Sequence, residues 1–522
     1  MINDSKPYLS KINTFLESPA ATKVFFWAIL AIGLFVRCYG LGQFPSGLNQ
    51  DEAFAGYEAY SLMKYGIDTA GYHNPVYLVT WGSGMSVLQT YMMIPFIKIF
   101  GLTTFAIRIP QMIFGVLSLY FIYALTKKIY NTKAGLCAMG LLAICPWHIL
   151  MSRWALDCNF APAMLLIATY FFVLGIDNNK FFMLSALFYG LTLYSYATVW
   201  SILPFILLLE IVYLLINKKA KINRYTILSV VILALMALPL LLFVLVNTGV
   251  IGEIKTPVIS IPKLLYFRAG EVSFEGFFGK AKRLFEILIF QSDDLPWNYV
   301  KDFGFLGYVT LLLSIAGIVV VIADIVRASK RKKEFCPQVI IIINFIIPLF
   351  FGCLINANIN RINILFIPMV LLAGIAFARI KNKLITAGFV LYFALFLISF
   401  ERVYYTTYND NISFHFGAGL KDALELADSH GETVYLSSDI HYPKVLFYER
   451  IPVTEFRDTV KYNNYPAAFL TTDSFTHYSY VFDQNNPDDS GAYIIGNNSN
   501  MTAFTDNGFK ITEFGRYKVA YK

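Results

Sequence analysis

Charge and cysteine are both scarce in this 522-residue chain. Charged residues make up only 15% and there are six cysteines, against about 25% charged residues in ordinary globular proteins. The cysteines (Cys38, Cys137, Cys145, Cys158, Cys336, Cys353) sit in or beside apolar runs, and no pair has metal-ligand spacing, so neither a disulfide scaffold nor a zinc module is encoded. No Walker loop, dinucleotide fingerprint, internal repeat or low-complexity tract is present, which leaves ATP-driven and redox chemistry without support. What fills the space instead is apolar: hydrophobic residues reach 57% and mean hydropathy is +0.57. The chain reads as a polytopic α-helical membrane protein, not a cytosolic enzyme or a disordered chain.

A crossing helix needs about 20 mostly apolar residues. Eleven stretches qualify, near 24–41, 105–126, 134–150, 162–176, 181–199, 201–216, 225–246, 304–326, 339–355, 362–378 and 384–400. Basic clusters occupy alternate connections: Lys127/Lys128/Lys133, Lys180, Lys218/Lys219/Lys221/Arg224, Arg327/Lys330/Arg331/Lys332/Lys333 and Arg379/Lys381/Lys383, with Lys6, Lys11 and Lys23 at the start. The positive-inside rule then puts residues 1–23 in the cytoplasm, the chain N-in and C-out. The net charge of +8 is therefore an orientation signal and implies no nucleic-acid partner. The start of the first span does not have the form of a cleavable signal peptide. The transmembrane domain is expected over 24–400, with outward loops at 42–104, 151–161 and 247–303. Val87–Phe100, interrupted by Pro95 and Lys98, is expected to lie at the interface.

The tail 401–522 differs. It holds 10 Lys and Arg against 16 Asp and Glu, a net of −6, and reads as a small extracytoplasmic α/β domain. The pattern predicts a helix over Gly419–Ser429, a strand over Thr433–Ser437, apolar pieces at Lys444–Phe447, Ala467–Thr471, Tyr478–Phe482 and Ala492–Ile495, and a terminal hairpin around Gly508 and Gly515.

Chemistry-bearing residues gather in the outward loops. Asp51 and Glu52 follow Asn49 at the start of a helical pattern; an Asn-x-x-Glu spacing is also that of a capping box, which helix-terminal electrostatics alone would favour. Asp51 lies ten residues beyond the first predicted span and so hangs at a membrane rim. Arg153 and Asp157, four apart, would share a helical face and could simply pair. Arg108 and Arg361 open the second and tenth spans on the same face, where snorkelling to lipid phosphate is the plain alternative. Ionisable groups this close to a bilayer are costly, which marks them as functional candidates. Tryptophans such as Trp81, Trp147, Trp154, Trp200 and Trp297 read as interface belts. The 247–303 loop carries seven acids and seven Lys or Arg and could cover the cleft as a lid.

An Asp-Glu pair in the first outward loop, His73-Asn74-Pro75 before an interfacial helix, Arg108 opening the second span and Ser152-Arg153…Asp157 in the second outward loop together resemble the GT-C superfamily of integral-membrane glycosyltransferases, in the branch of protein O-mannosyltransferases and the lipid A aminoarabinose transferase. The likeness is strongest over the first ~175 residues. Asn74 stands where that branch usually has proline, and its lysine has no clear counterpart, Lys98 lying too far along. The resemblance implies transfer of a sugar from a polyprenyl-phosphate donor to an acceptor (envelope polymer, protein or lipid) on the outer face of the cell membrane. It implies catalytic roles for Asp51, Glu52 and Asp157, and substrate contacts by His73 and Asn74. Arg108, Arg153 and Arg361 are candidates for the donor phosphate, whose developing charge a cation would stabilise. Asp51 would act as base, and one displacement at carbon would invert the anomeric centre. No cofactor is identified. A divalent metal on Asp51 and Asp157 is compatible with the residues, but no ligand spacing demands it. The alternative is a transporter or flippase of a lipid-linked saccharide, which would place its charges nearer the bilayer midplane.

Overall fold

The structure is a computed structural model that describes residues 18–268, 270–331, 335–496 and 500–522. Lys6, Lys11, Lys332 and Lys333, counted above among the basic clusters, lie outside the described residues.

Each of the eleven apolar stretches contains a helix. Among the described residues, eight helical segments are long and apolar enough to cross a membrane, including Pro19–Cys38, Thr104–Ile129, Val199–Ile216 and Arg224–Asn247. Thr132–Ala143, Phe181–Leu193 and Gln338–Gly352 are apolar but shorter than a full crossing. The reason is local in one case: the stretch expected at 134–150 breaks before Pro146, which cannot donate to a continuing helix, and restarts as the short helix Pro146–Met151. Pro204 and Pro239 remain inside their helices, as membrane helices allow. The helical core is built where small residues let backbones meet. Gly317 and Gly374 have no room for a side chain, a Cβ there falling 2.1 Å from the Leu372 carbonyl oxygen and 2.6 Å from Ala138 respectively.

One end of the bundle collects basic clusters. Lys128 pairs with Asp177 at 2.7 Å, Arg327 and Arg379 converge on Asp324 at 3.2 and 2.5 Å, and Lys133 reaches the Ile380 carbonyl. Asp51, Asp157 and Arg361 belong to connections at the other end of their helices.

Leu88–Phe100 packs between the helices Gln50–Tyr65 and Thr104–Ile129 with a buried face. The helix starting at Lys383 does not stop at residue 400, where the domain boundary was expected. It runs through a π-turn at Tyr404–Tyr408 into Asn409–Phe416 and ends at Gly417, whose positive φ of 67° terminates it. The C-terminal region that follows carries a mixed seven-stranded sheet in the order Lys461–Tyr462, Thr472–Phe475, Tyr478–Ser479, Thr433–Leu436, Gly491–Ile495, Tyr517–Tyr521, Lys510–Phe514. Thr433–Leu436 runs parallel to both neighbours, and the last two strands form the expected hairpin about Gly515. Lys444–Phe447 falls within a helix, Tyr442–Glu449, whose apolar face packs on the helix Gln50–Tyr65. The buried cluster around Phe54, Ala106, Leu424, Val445 and Phe475 is thus shared by the membrane core and the sheet region.

Candidate active site

The loop that delivers Asp51 is held from behind. Leu48 donates its N–H to the Phe416 carbonyl at 2.8 Å and Ser46 donates to Asn409 Oδ1 at 2.8 Å, both on the extension of the C-terminal helix. Asn49 then caps the helix Gln50–Tyr65, and Glu52 reaches back to the Asn49 N–H, so the capping box is formed.

Glu52 does more than cap, and its surroundings differ from those of a catalytic carboxylate. It is fully buried and receives the Arg108 guanidinium through Nε at 2.6 Å and Nη2 at 2.9 Å, together with the Ala155 N–H at 2.9 Å. Arg108, also fully buried, spends its remaining donors on the Pro45 and Gly47 carbonyls at 2.9 and 3.0 Å. Glu52, expected in a catalytic role, and Arg108, expected at the donor phosphate, are engaged with each other here, and the pair ties the first loop to the second. Arg153 is likewise sealed in. It donates to Tyr404 Oη, Val36 O and Tyr39 O at 2.9, 2.8 and 2.6 Å, and its guanidinium lies over the Tyr404 and Tyr405 rings. No ion pair joins it to Asp157, and all three of its guanidinium nitrogens donate to protein groups.

Asp51 and Asp157 do come together. Asp51 is half-buried with its carboxylate accepting the Trp81 indole N–H at 2.9 Å. Asp157 accepts from the Ser86 N–H at 3.1 Å and the Cys158 N–H at 2.7 Å, and the two carboxylates are within electrostatic range of each other. Burial pushes the Asp51 carboxyl above its ordinary range, against the opposing pull of the Trp81 donor and the Arg268 guanidinium. Tyr77 and Tyr196 lie in the same electrostatic neighbourhood.

Two cations at the rim remain reachable. Arg361, on the short helix Ile359–Ile362, is partly exposed and pairs with Glu271 at 3.3 Å. Arg268 meets the same carboxylate at 3.6 Å, donates to Ser83 Oγ at 2.9 Å and lies within electrostatic range of Asp51. Arg268 escaped the sequence reading because it sits in a loop of evenly mixed charge; its spacing from Glu271 was the only local signal. Asp293, buried, orients Arg361 by accepting the Ile359 N–H at 2.8 Å.

His73 and Asn74 lie elsewhere. His73 Nδ1 contacts the Gly66 carbonyl at 2.8 Å, at the far end of the helix that Asp51 begins, roughly 20 Å away at 1.5 Å per residue. Asn74 donates to the Val258 carbonyl at 3.0 Å and pins the 247–303 loop. The two residues expected to touch substrate thus brace backbone at these places. Among the described residues no group of three or more His, Cys, Asp or Glu is arranged to hold a metal ion; Asp51 and Asp157 offer two carboxylates at most. Trp81, Trp147 and Trp154, expected in an interface belt, are all buried.

Paired carboxylates and rim arginines, set at one end of a multi-helix bundle with a mixed sheet packed against their loops, accompany the GT-C fold of a polytopic membrane protein. Residues 86–246 match the family described as dolichyl-phosphate-mannose-protein mannosyltransferase. Among solved structures the chain is similar to the crystal structure of ArnT from Cupriavidus metallidurans in the apo state, at 14% identity and TM-score 0.58, with 96% of this chain and 98% of that chain covered. The same protein bound to undecaprenyl phosphate matches at 14% identity and TM-score 0.55, with 96% and 98% covered. An Archaeoglobus fulgidus oligosaccharyltransferase in complex with Zn and sulfate matches at 16% identity and TM-score 0.51, over 82% of this chain and 62% of that one. At such identities the likeness to these structures is one of fold. No curated protein matches the chain in sequence. The resemblance to GT-C glycosyltransferases of the mannosyltransferase and ArnT-like branch stands on the family match and the shared fold.

Proposed function

We propose that the chain is a glycosyltransferase that takes a sugar from a polyprenyl-phosphate donor and passes it, with inversion, to a cell-envelope acceptor at the outer face of the membrane. The observation that carries this reading is that one turn, Trp81–Ser86, holds both acids, Asp51 through the Trp81 indole N–H and Asp157 through the Ser86 N–H, and also receives Arg268 at Ser83, with Arg361 joined to Arg268 through Glu271. The match to a mannosyltransferase family and the fold of an ArnT that binds undecaprenyl phosphate support it. So does the gathering of basic clusters at the opposite end of the bundle, which favours a cytoplasmic end there and an outward-facing cleft. The boundaries in this reading are a cytoplasmic segment 1–23, a membrane domain that the continuous helix extends to Phe416, and an extracytoplasmic sheet domain beyond Gly417.

The acceptor hydroxyl gives its proton to Asp51 as its oxygen forms a bond to the anomeric carbon. The bond from that carbon to the phosphate oxygen breaks, and polyprenyl phosphate leaves. Arg268 and Arg361 stabilise the charge that grows on the phosphate. A carboxyl raised by burial is a stronger base than a free one, which suits proton abstraction. Burial pushes the Asp157 carboxyl up to about 7, against the pull of its two backbone N–H donors, so this second acid holds a proton more readily than a free aspartate and can share in proton transfer beside Asp51.

The test is Asp51→Asn in proteoliposomes with a radiolabelled polyprenyl-phosphate sugar. Loss of transfer with normal insertion and normal donor binding is expected; undiminished transfer overturns the assignment.

A further inference from the structure

Between the strands Lys461–Tyr462 and Thr472–Phe475 the sheet domain throws out an arch that leans on the active-site turn. Leu470 donates its N–H to the Trp81 carbonyl at 2.8 Å, and Phe469 bridges to Gly82. Gly82 adopts φ +101°, and a Cβ there would fall 2.1 Å from the Ala467 carbonyl oxygen, so the approach is backbone on backbone. The arch is stiffened from within: Asn463 donates its N–H to the Thr471 carbonyl at 3.1 Å, Asn464 Nδ2 donates to the Phe469 carbonyl at 2.8 Å, and Asn464 Oδ1 accepts the Thr471 N–H at 2.9 Å.

Two aromatic rings on this stiff arch are largely exposed: Tyr465 is 63% exposed, with only the Tyr462 ring 6.1 Å away, and Phe469 is 59% exposed. Phe469 stands close to the proposed chemistry, and Tyr465 shares its arch. The Arg268 guanidinium lies 5.2 Å from the centre of the Phe469 ring and within electrostatic range of Asp51, while Trp81, gripped by the arch, is the donor to Asp51. The composition is selective as well. From Tyr462 to Thr472 there is no charged residue, in a tail that otherwise carries 10 cations and 16 anions. Exposed rings with neighbouring amides and hydroxyls, on a charge-free segment, suit a ligand that presents C–H faces and many hydroxyls but no charge. A polyanion would meet an acid-rich domain, and a polycation would find no carboxylate on the arch.

We propose that the arch Asn463–Thr471 is the acceptor wall of the site, where Tyr465 and Phe469 stack against a ring of a neutral saccharide acceptor. This deepens the glycosyltransferase reading and rests on it. Seating the acceptor on the arch sets its hydroxyl next to the turn that holds Asp51.

The experiment is saturation-transfer NMR on the full-length chain in detergent micelles, with mannotetraose and chitotetraose as neutral probes, and a heparin-derived tetrasaccharide and a tetrapeptide as contrasts. Binding of a neutral probe is expected, with affinity falling roughly five- to tenfold in Tyr465→Ala and in Phe469→Ala. The ring-preserving variants Tyr465→Phe and Phe469→Tyr should hold it near the wild-type level, which separates ring contact from misfolding. Failure of both neutral probes to bind, binding of the acidic probe or peptide alone, or undiminished affinity in the alanine variants overturns the proposal. Sugar transfer without neutral-saccharide binding sinks this inference alone. Saccharide binding without any transfer sinks the proposed reaction and leaves the arch standing.

Discussion

Trp81 donates its indole N–H to Asp51 Oδ1 at 2.9 Å while its ring edges against Phe54, Tyr442 and His441 at 5.5, 5.6 and 5.7 Å. A residue of the first loop, held by two residues of the sheet domain, thereby fixes the carboxylate proposed as the base, and the sheet domain packs into the same set of contacts.

Trp81→Phe keeps a ring among those neighbours and removes the indole donor to Asp51. That hydrogen bond opposes the upward push of burial, so its loss raises the Asp51 carboxyl further. The base is then ionised only at higher pH, and the acidic limb of the rate profile moves upward. A profile of transfer rate against pH for both proteins measures the shift. An unmoved limb with reduced rate would mean that Trp81 acts on substrate, not on Asp51.

The Glu52–Arg108 pair predicts a different phenotype. Glu52→Ala strands a fully buried guanidinium, and breaking such a pair costs about 3–5 kcal/mol. The protein should lose thermal stability in detergent and accumulate poorly in membranes. Arg108→Lys should fare little better, since an ammonium cannot reproduce the two-pronged contact to the carboxylate or reach both loop carbonyls. Melting curves of the purified variants check this. Donor binding per folded molecule should be unaffected.

How these residues divide was only partly readable in the sequence. Apolar run length and alternating basic clusters are one-dimensional signals, and they located the helices and the two carboxylates that meet. Burial is a three-dimensional property. Arg108, Arg153 and Arg361 looked alike as cations at span ends, yet the first two are consumed by carbonyls, a carboxylate and tyrosines, and only the third reaches the rim. His73 was drawn in by its motif, but the helix Gln50–Tyr65 intervenes as a straight spacer. The partner of Asp51 in its place, Trp81, was indistinguishable from a membrane-belt tryptophan until its N–H had an acceptor.

Glu58 and Asp68 form a second carboxylate pair, buried beneath the first loop. Thr69 donates to Glu58 through both its N–H, at 2.9 Å, and its hydroxyl, and the Tyr72 N–H reaches Asp68 at 2.7 Å. Burial first, and mutual repulsion second, push Glu58 above the ordinary carboxylate range; burial likewise raises Asp68, against its backbone donors and Arg457. A carboxyl raised in the folded state holds its proton when the unfolded chain has released it, so folding stability falls as pH rises from the unfolded values through the folded ones. Glu58→Gln removes one titrating group and keeps an acceptor for Thr69. Its stability should therefore decline less over that interval than that of the wild type. Denaturation midpoints across a pH series provide the check, and parallel curves would contradict it.

Glu271 stands between Arg268 and Arg361, at 3.6 and 3.3 Å, and all three side chains are partly exposed. Rim ion pairs of this kind contribute about 0–1 kcal/mol to stability, so Glu271→Gln should leave the fold intact. Its effect falls on charge: the carboxylate competes with a donor phosphate for the same two guanidinium groups. Removing it should tighten binding of polyprenyl monophosphate by roughly an order of magnitude at low salt, less as salt screens the site. Arg268→Ala and Arg361→Ala should each weaken it. Because polyprenyl phosphate is also the leaving group, tighter binding in Glu271→Gln slows its departure, and turnover should fall even as donor affinity rises. Equilibrium binding and steady-state turnover on the same preparation separate the two effects. If Glu271→Gln binds the phosphate no better than wild type, the two arginines do not meet the phosphate where Glu271 now holds them.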